Sequence, residues 1–201
     1  MSTEERKTIY LCLAHMSEEG YEQKYVKEAF DTNWVVPMGP NVNAFEQNLA
    51  DFANANSDGS KLARKVVCLS AGTAAVHLAL IACGVKAGDE VCVQSFTFCA
   101  SSHPIIYLGA KPVFIDSERE TWNMDPELLE KAIIERKTVT GKYPKAIIPV
   151  ALYGMPYDCE RIMAIADKYG ISVIEDAAEG MGARFNGQVL GTFGRFGVLS
   201  F

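Results

Sequence analysis

Ile171-Ser-Val-Ile-Glu-Asp-Ala-Ala-Glu179 joins an apolar run to two adjacent carboxylates, and Gly191-Thr-Phe-Gly-Arg-Phe-Gly-Val-Leu-Ser200 brings a serine to the end of the chain. A buried carboxylate needs a partner, because an unpaired charge is costly to desolvate. Asp176, at the end of a strand, would suit the protonated nitrogen of a heteroaromatic cofactor. A helix cap or a salt bridge would satisfy it equally well. Glu179 lies three residues further on and could reach the same ring.

Ser70-Ala-Gly-Thr-Ala-Ala75 sits between an expected strand and an expected helix. Small residues there let backbone N–H groups approach an anion, and a helix N-terminus adds partial positive charge. Thr73 adds a hydroxyl donor. An ordinary strand-to-helix turn would read the same way, and the segment is neither G-x-G-x-x-G nor a Walker loop. Phe96 follows another expected strand, where residues outside the carboxyl end face the ligand crevice of an open α/β sheet. It could stack on a flat cofactor or join the core. Ser200 could bind phosphate or satisfy a neighbouring backbone group. His15, His77 and His103 share no ligand spacing, and His77 reads as a core histidine in an apolar helix. No metal site is expected.

These residues need elements to position them. Residues 18–31 have helical spacing, with Tyr21, Tyr25, Ala29 and Phe30 near one face. Gly39 and the prolines at 37 and 40 interrupt it. A second helix carries Val42, Phe45, Leu49 and Phe52, and a polar turn runs from Asn54 to Ser60. Strands are then expected at Val66–Leu69, Glu90–Val93, Lys111–Ile115, Ala146–Val150, Ile171–Glu175 and, beginning at Val198, to Phe201. Helices are expected at Thr73–Cys83, at Phe98–Leu108 with Pro104 as an irregularity, after the Asp125-Pro126 cap, and at Asp158–Tyr169. Asn186-Gly187 marks a hairpin within Gly182–Leu190. Continuous Val/Ile strands alternating with helices give an α/β fold, a mostly parallel central sheet with helices on both faces. Residues 1–60 form an N-terminal helical segment and 61–201 the large domain. The pattern stops without a polar tail, so the domain reads as incomplete at its C-terminus.

Bulk properties narrow the function. With 201 residues the chain can bury a sizeable core, and 49% hydrophobic with 22% charged residues is a globular composition. A net charge of -6 and the lack of a Lys/Arg cluster give no support to a nucleic-acid surface, and no nucleic-acid partner is expected. No apolar stretch is long enough for a membrane span or signal peptide. Cys12, Cys68, Cys83, Cys92, Cys99 and Cys159 form no C-x-x-C pair and read as reduced core thiols of a cytoplasmic protein.

In combination and order, the turn, the aromatic, Glu-Asp-Ala-Ala and the glycine-bounded hairpin before Ser-Phe resemble the DegT/DnrJ/EryC1/StrS family of pyridoxal-phosphate sugar aminotransferases. The resemblance spans nearly the whole chain, from His15-Met-Ser-Glu-Glu and Asn33-Trp-Val-Val-Pro-Met-Gly-Pro-Asn-Val-Asn-Ala-Phe-Glu46 through Leu152-Tyr-Gly154. It implies the large domain of the type I aminotransferase fold, without the small C-terminal domain, and pyridoxal 5'-phosphate as cofactor. It implies that Gly72, Thr73, Ala74 and Ser200 bind the cofactor phosphate, that Phe96 stacks on the ring, and that Asp176 pairs with its nitrogen. Glu179 falls near the phenolic oxygen, where the family often has Gln or His. Arg195 and Ala151 also depart from common family residues. The implied substrates are a nucleotide-linked keto-deoxy sugar and an amino-acid donor such as glutamate, and the implied assembly is a homodimer. The family's Schiff-base lysine is expected about four residues past Phe201, so this chain holds no catalytic lysine and is expected to be inactive alone. A dehydratase with histidine at the lysine position, or a non-catalytic regulator or partner, would share these features.

Overall fold

The computed structural model describes residues 16–55 and 63–201. Cys12, His15 and most of the turn expected up to Ser60 lie outside them. Two compact units divide at Ala44 and Phe45. The first contains α1 (Tyr21–Asp31) and the start of α2 (Pro40–Ala55). Ser17 Oγ accepts from Tyr21 N–H, while Glu22 accepts from Ser17 N–H and Oγ, which ties the first turn of α1 to the residues before its Gly20 N-cap. None of its residues is buried.

The second unit is built on parallel strands β1 (Glu90–Gln94), β2 (Lys111–Ile115), β3 (Ala146–Ile148), β4 (Ser172–Asp176) and β7 (Phe196–Val198) in the order β2-β1-β3-β4-β7. A hairpin, β5 (Arg184–Phe185) and β6 (Gln188–Val189), turns at Asn186 and Gly187, both with positive φ. Strand side chains alternate between faces. Cys92, Ile147 and Val173 join a core with α5 (Pro126–Thr140) and α6 (Cys159–Tyr169). Val91, Val93, Ala146, Ile148, Ile174 and Val198 pack against α3 (Gly72–Ala82) and α4 (His103–Tyr107) on the other face. The expected doubly covered parallel sheet is what forms. Asp125 and Asp158 cap α5 and α6 through backbone N–H groups, and Arg136 makes a two-pronged, half-buried ion pair with Glu90.

Several expectations are corrected. Val66–Leu69 is not a buried strand: it has no ladder partner among the described residues, and Val67 is 69% exposed. Its polar backbone turns to α2 instead, Cys68 N–H donating to Glu46 and Arg64 N–H to Asn54. A groove of about 650 Å³ separates it from β7. The last strand ends at Val198 rather than starting there, because its register partner β4 stops at Asp176. The helix expected over Phe98–Leu108 breaks into a 3₁₀ turn, Cys99–Ser101, and α4, with Pro104 in the first turn of α4. Cys99 is exposed, and Cys68 and His77 are half-buried, so none of these is a core residue. His77 packs edge-on to Tyr107 at 5.7 Å.

Gly197 is the tightest backbone approach: a Cβ there would lie 2.0 Å from the carbonyl oxygen of Gly191. Gly197→Ala is expected to cost about 3 kcal/mol or more, by overpacking against an atom that cannot swing away. Gly88, where a Cβ would meet nothing within 4 Å, serves as the control. Its alanine variant should lose only about 1 kcal/mol through its left-handed φ. Urea unfolding followed by circular dichroism measures both.

Candidate functional site

All five sheet strands are parallel, so their carboxyl ends share one edge, where Asp176 closes β4 and Phe96, Glu179 and Ser200 follow strand ends, while Gly72, Thr73 and Ala74 open α3. Period-2 alternation decides which acid of β4 reaches which face. Val173 joins the α5/α6 core and Ile174 the α3 core, so Glu175 points to the former side and Asp176 to the latter.

Asp176 is 5% exposed. Its Oδ2 accepts from Ser101 Oγ at 2.6 Å, and its Oδ1 from Ala178 N–H at 3.2 Å. Burial pushes its carboxyl above the ordinary range; the Ser101 and Ala178 bonds oppose that, and the Glu179 charge adds to it. No ion pair with Asp176 forms among the described residues. This is a desolvated carboxylate held in place by neutral donors, an arrangement that favours an approaching cation.

On the same face α3 starts without a side-chain cap, Ala71 being extended at φ -166°. The first amides of α3, at Gly72, Thr73 and Ala74, have no intrahelical acceptor. Ser200 closes this turn: a Cβ on Gly72 would lie 3.1 Å from Ser200 Cβ and 3.2 Å from its Oγ. A side chain there would crowd the serine, which would have to give by a few tenths of an ångström.

Phe96 lies beyond β1 and is 43% exposed, so it is not a core residue; its ring is 5.7 Å from Trp122. Glu179 is exposed and accepts from Tyr153 N–H at 2.6 Å. Trp122 and Tyr153 have left-handed φ values of 65° and 52°, rare for bulky side chains. A buried pair holds their loops. Gln94 donates to Phe96 C=O and Asn123 Oδ1 and accepts from Met124 N–H, while Asn123 accepts from Leu152 N–H and donates to Met155 C=O. The sequence reading missed Ser101, Gln94 and Asn123. Their only signal was a polar residue at a strand end, or in the small-residue run Cys99-Ala-Ser-Ser102, which many unrelated loops share.

Among the described residues no His/Cys/Asp/Glu group could hold a metal ion, and no helix is long and apolar enough to cross a membrane.

Comparison with known proteins matches residues 16–201 to the model of the DegT/DnrJ/EryC1/StrS aminotransferase family. EpsN of Bacillus subtilis (strain 168), a protein named as a pyridoxal phosphate-dependent aminotransferase, is 51% identical over 97% of this chain and 47% of its own length. The GDP-perosamine synthase of Escherichia coli O157:H7 is 38% identical over 96% of this chain and 49% of its own. The X-ray structure of an aminotransferase from Psychrobacter cryohalolentis superposes with a TM-score of 0.76 at 32% identity, covering 90% of this chain and 42% of that one. The chain thus spans about half the length of the curated relatives it matches.

The environment of Asp176 makes a pH prediction. Its folded pKa is raised, so its contribution favours folding most below the unfolded value near 3.8 and is lost as pH rises through the folded value. Asp176→Asn removes that ionisation. The ligand-free variant is expected to melt above the wild type at neutral pH, with the difference shrinking as pH falls towards 4. Thermal melts across pH measure this, and a variant that melts lower at neutral pH contradicts it.

Proposed function

The chain belongs to the DegT/DnrJ/EryC1/StrS aminotransferase family, and we propose that it forms the pyridoxal 5'-phosphate-binding part of an aminotransferase acting on a nucleotide-linked keto-deoxy sugar. The observation that carries this reading is the placement of a buried carboxylate without a protein cation, Asp176, on the same sheet face as the uncapped start of α3. One feature suits a protonated ring nitrogen and the other a phosphate, so the residues present fit the cofactor. The names of the GDP-perosamine synthase and EpsN relatives support the sugar and cofactor classes.

In this reading the amides of Gly72, Thr73 and Ala74 bind the phosphate, joined by the hydroxyls of Thr73 and Ser200. Phe96 lies against one face of the ring. Asp176 holds a proton at the ring nitrogen, and Ser101 orients the carboxylate that does so. Glu179, fixed by Tyr153 N–H, stands near the phenolic oxygen. When bound, the cofactor supplies an electron-accepting ring and a carbon that carries the amino group from donor to acceptor. An amino acid such as glutamate is the proposed donor. Unpaired buried thiols at Cys83, Cys92 and Cys159 support a cytoplasmic setting, where such thiols stay reduced.

Pyridoxamine 5'-phosphate tests the site directly, because it binds without a covalent link to lysine. The chain is expected to bind it, and Asp176→Asn to weaken binding about 10- to 100-fold, as for one lost charge-assisted hydrogen bond. In the intact protein carrying these residues, nitrogen-15 glutamate should label a GDP- or UDP-linked keto sugar, read by mass spectrometry. Failure to bind the cofactor at millimolar concentration would remove the proposal.

We also propose a homodimer. Tyr21, Tyr25, Val26 and Phe30 of α1 are each more than half exposed, an apolar stripe that a second copy would cover. Light scattering should give twice the chain mass, and a monomer at micromolar concentration contradicts it.

A further inference from the structure

Glu175 faces away from the proposed cofactor and contacts nothing of that site, yet it is fully buried. Its Oε1 accepts from Gly191 N–H at 2.6 Å, and its Oε2 from Phe193 N–H at 3.0 Å and Gly194 N–H at 3.4 Å. Burial raises its pKa, while these three N–H groups and the charge of Arg64 pull the other way. With three donors on two oxygens, the arrangement fits the ionised, acceptor-only form.

Arg64 takes carbonyls of the same loop, and the Thr192–Phe193 peptide is held at both ends. Its guanidinium donates to Thr192 C=O, to Gly194 C=O at 3.0 Å and to Arg195 C=O at 3.4 Å. Loop 191–195 therefore has an anion at its N–H groups and a cation at its carbonyls. That loop feeds directly into β7 and so into Ser200. Arg64 belongs to the other half of the phosphate cradle: it begins the extended segment that leads to Ser70 and α3. This segment has no strand ladder among the described residues, and the groove of about 650 Å³ lies between it and β7. The Arg64 side chain bridges the groove to loop 191–195, and at the groove's other end the rings of Phe45 and Phe201 meet 5.2 Å apart.

We infer that Arg64 and Glu175 act as positioning residues, clamping loop 191–195 between them so that Ser200 stays against Gly72 at the start of α3. The clamp sets the geometry of the phosphate cradle without touching the cofactor. It rests on the cofactor reading above and adds to it two residues that no contact with the ring or phosphate would reveal.

The test compares pyridoxamine 5'-phosphate with pyridoxamine, which lacks the phosphate, on the full chain by calorimetry. Wild type should prefer the phosphorylated ligand. Arg64→Met and Glu175→Gln should each cut that preference about tenfold while leaving the dissociation constant for pyridoxamine within about twofold. Arg64→Lys keeps the charge but cannot reach three carbonyls at once, so its loss should be smaller. Arg64 is half-buried where Glu175 is fully buried, and it opens an extended segment outside the sheet, so its two variants carry the test even if Glu175→Gln does not fold. Combining Arg64→Met with Ser200→Ala should cost less than the sum of the two, because both act on one contact. Equal weakening of both ligands, or additive effects with Ser200→Ala, would overturn the clamp and leave only a general role in stability. A wild type that prefers the phosphorylated ligand and variants that keep the preference overturn the clamp alone. A wild type that binds neither ligand overturns the cofactor reading and the clamp together.

Discussion

Two carboxylates in sequence close β4, and the pleat of a strand sends them to opposite faces of the sheet. Much of the second unit's architecture can be read from that divergence. Asp176 emerges on the side of α3, held by a hydroxyl and a backbone donor. Glu175 emerges on the side of α6 and is consumed by the backbone of the loop before β7. Shifting the register by one residue would exchange them and place a longer, backbone-committed acid at the site. The ladder to β7, which pairs Glu175 with Gly197 and Asp176 with Val198, therefore matters more than its three-residue length indicates.

The parallel sheet converts this local choice into a site. Because each strand runs the same way, every crossover returns the chain to the same edge. Phe96, Trp122, Tyr153, Asp176 and Ser200 are consequently neighbours of strand ends and not of one another in sequence. Side-chain amides hold what helices and strands leave loose. Gln94 and Asn123 supply donors and acceptors to five backbone groups at Phe96, Met124, Val150, Leu152 and Met155, and so replace water in a region that excludes it.

Elements with a clear apolar period were legible from the sequence: α3, α6 and four of the sheet strands stand within two residues of expectation, and α5 starts at its expected Asp125-Pro126 cap. Val66–Leu69 was not, because an apolar run reads the same whether or not a neighbour completes its ladder; here Glu46 and Asn54 take up its backbone instead. The start of β7 was misplaced for a related reason. Its ends are set by where β4 stops, which is a tertiary fact. At the site, Asp176 and the turn at Gly72 were visible as types at positions. Ser101, Gln94 and Asn123 were not, since an uncharged polar residue near a strand end carries no signal until the groups it serves are brought to it.

Burying both carboxylates opposes folding, and the two are compensated differently. Glu175 is offset within the chain by three backbone donors and the Arg64 charge beyond them. Asp176 receives one hydroxyl and one backbone donor, too few for a buried charge that has four lone-pair sites. Its remaining demand is left to a donor that the described residues do not supply. A ligand bearing a positively charged N–H gains from that unmet demand, since it supplies what the fold withholds; this is binding strength stored as incomplete solvation. The same arithmetic explains why the neighbouring acid must be saturated. Two under-solvated carboxylates on consecutive residues would each raise the cost of ionising the other, and Asp176 could then take up a proton instead of holding one at its partner.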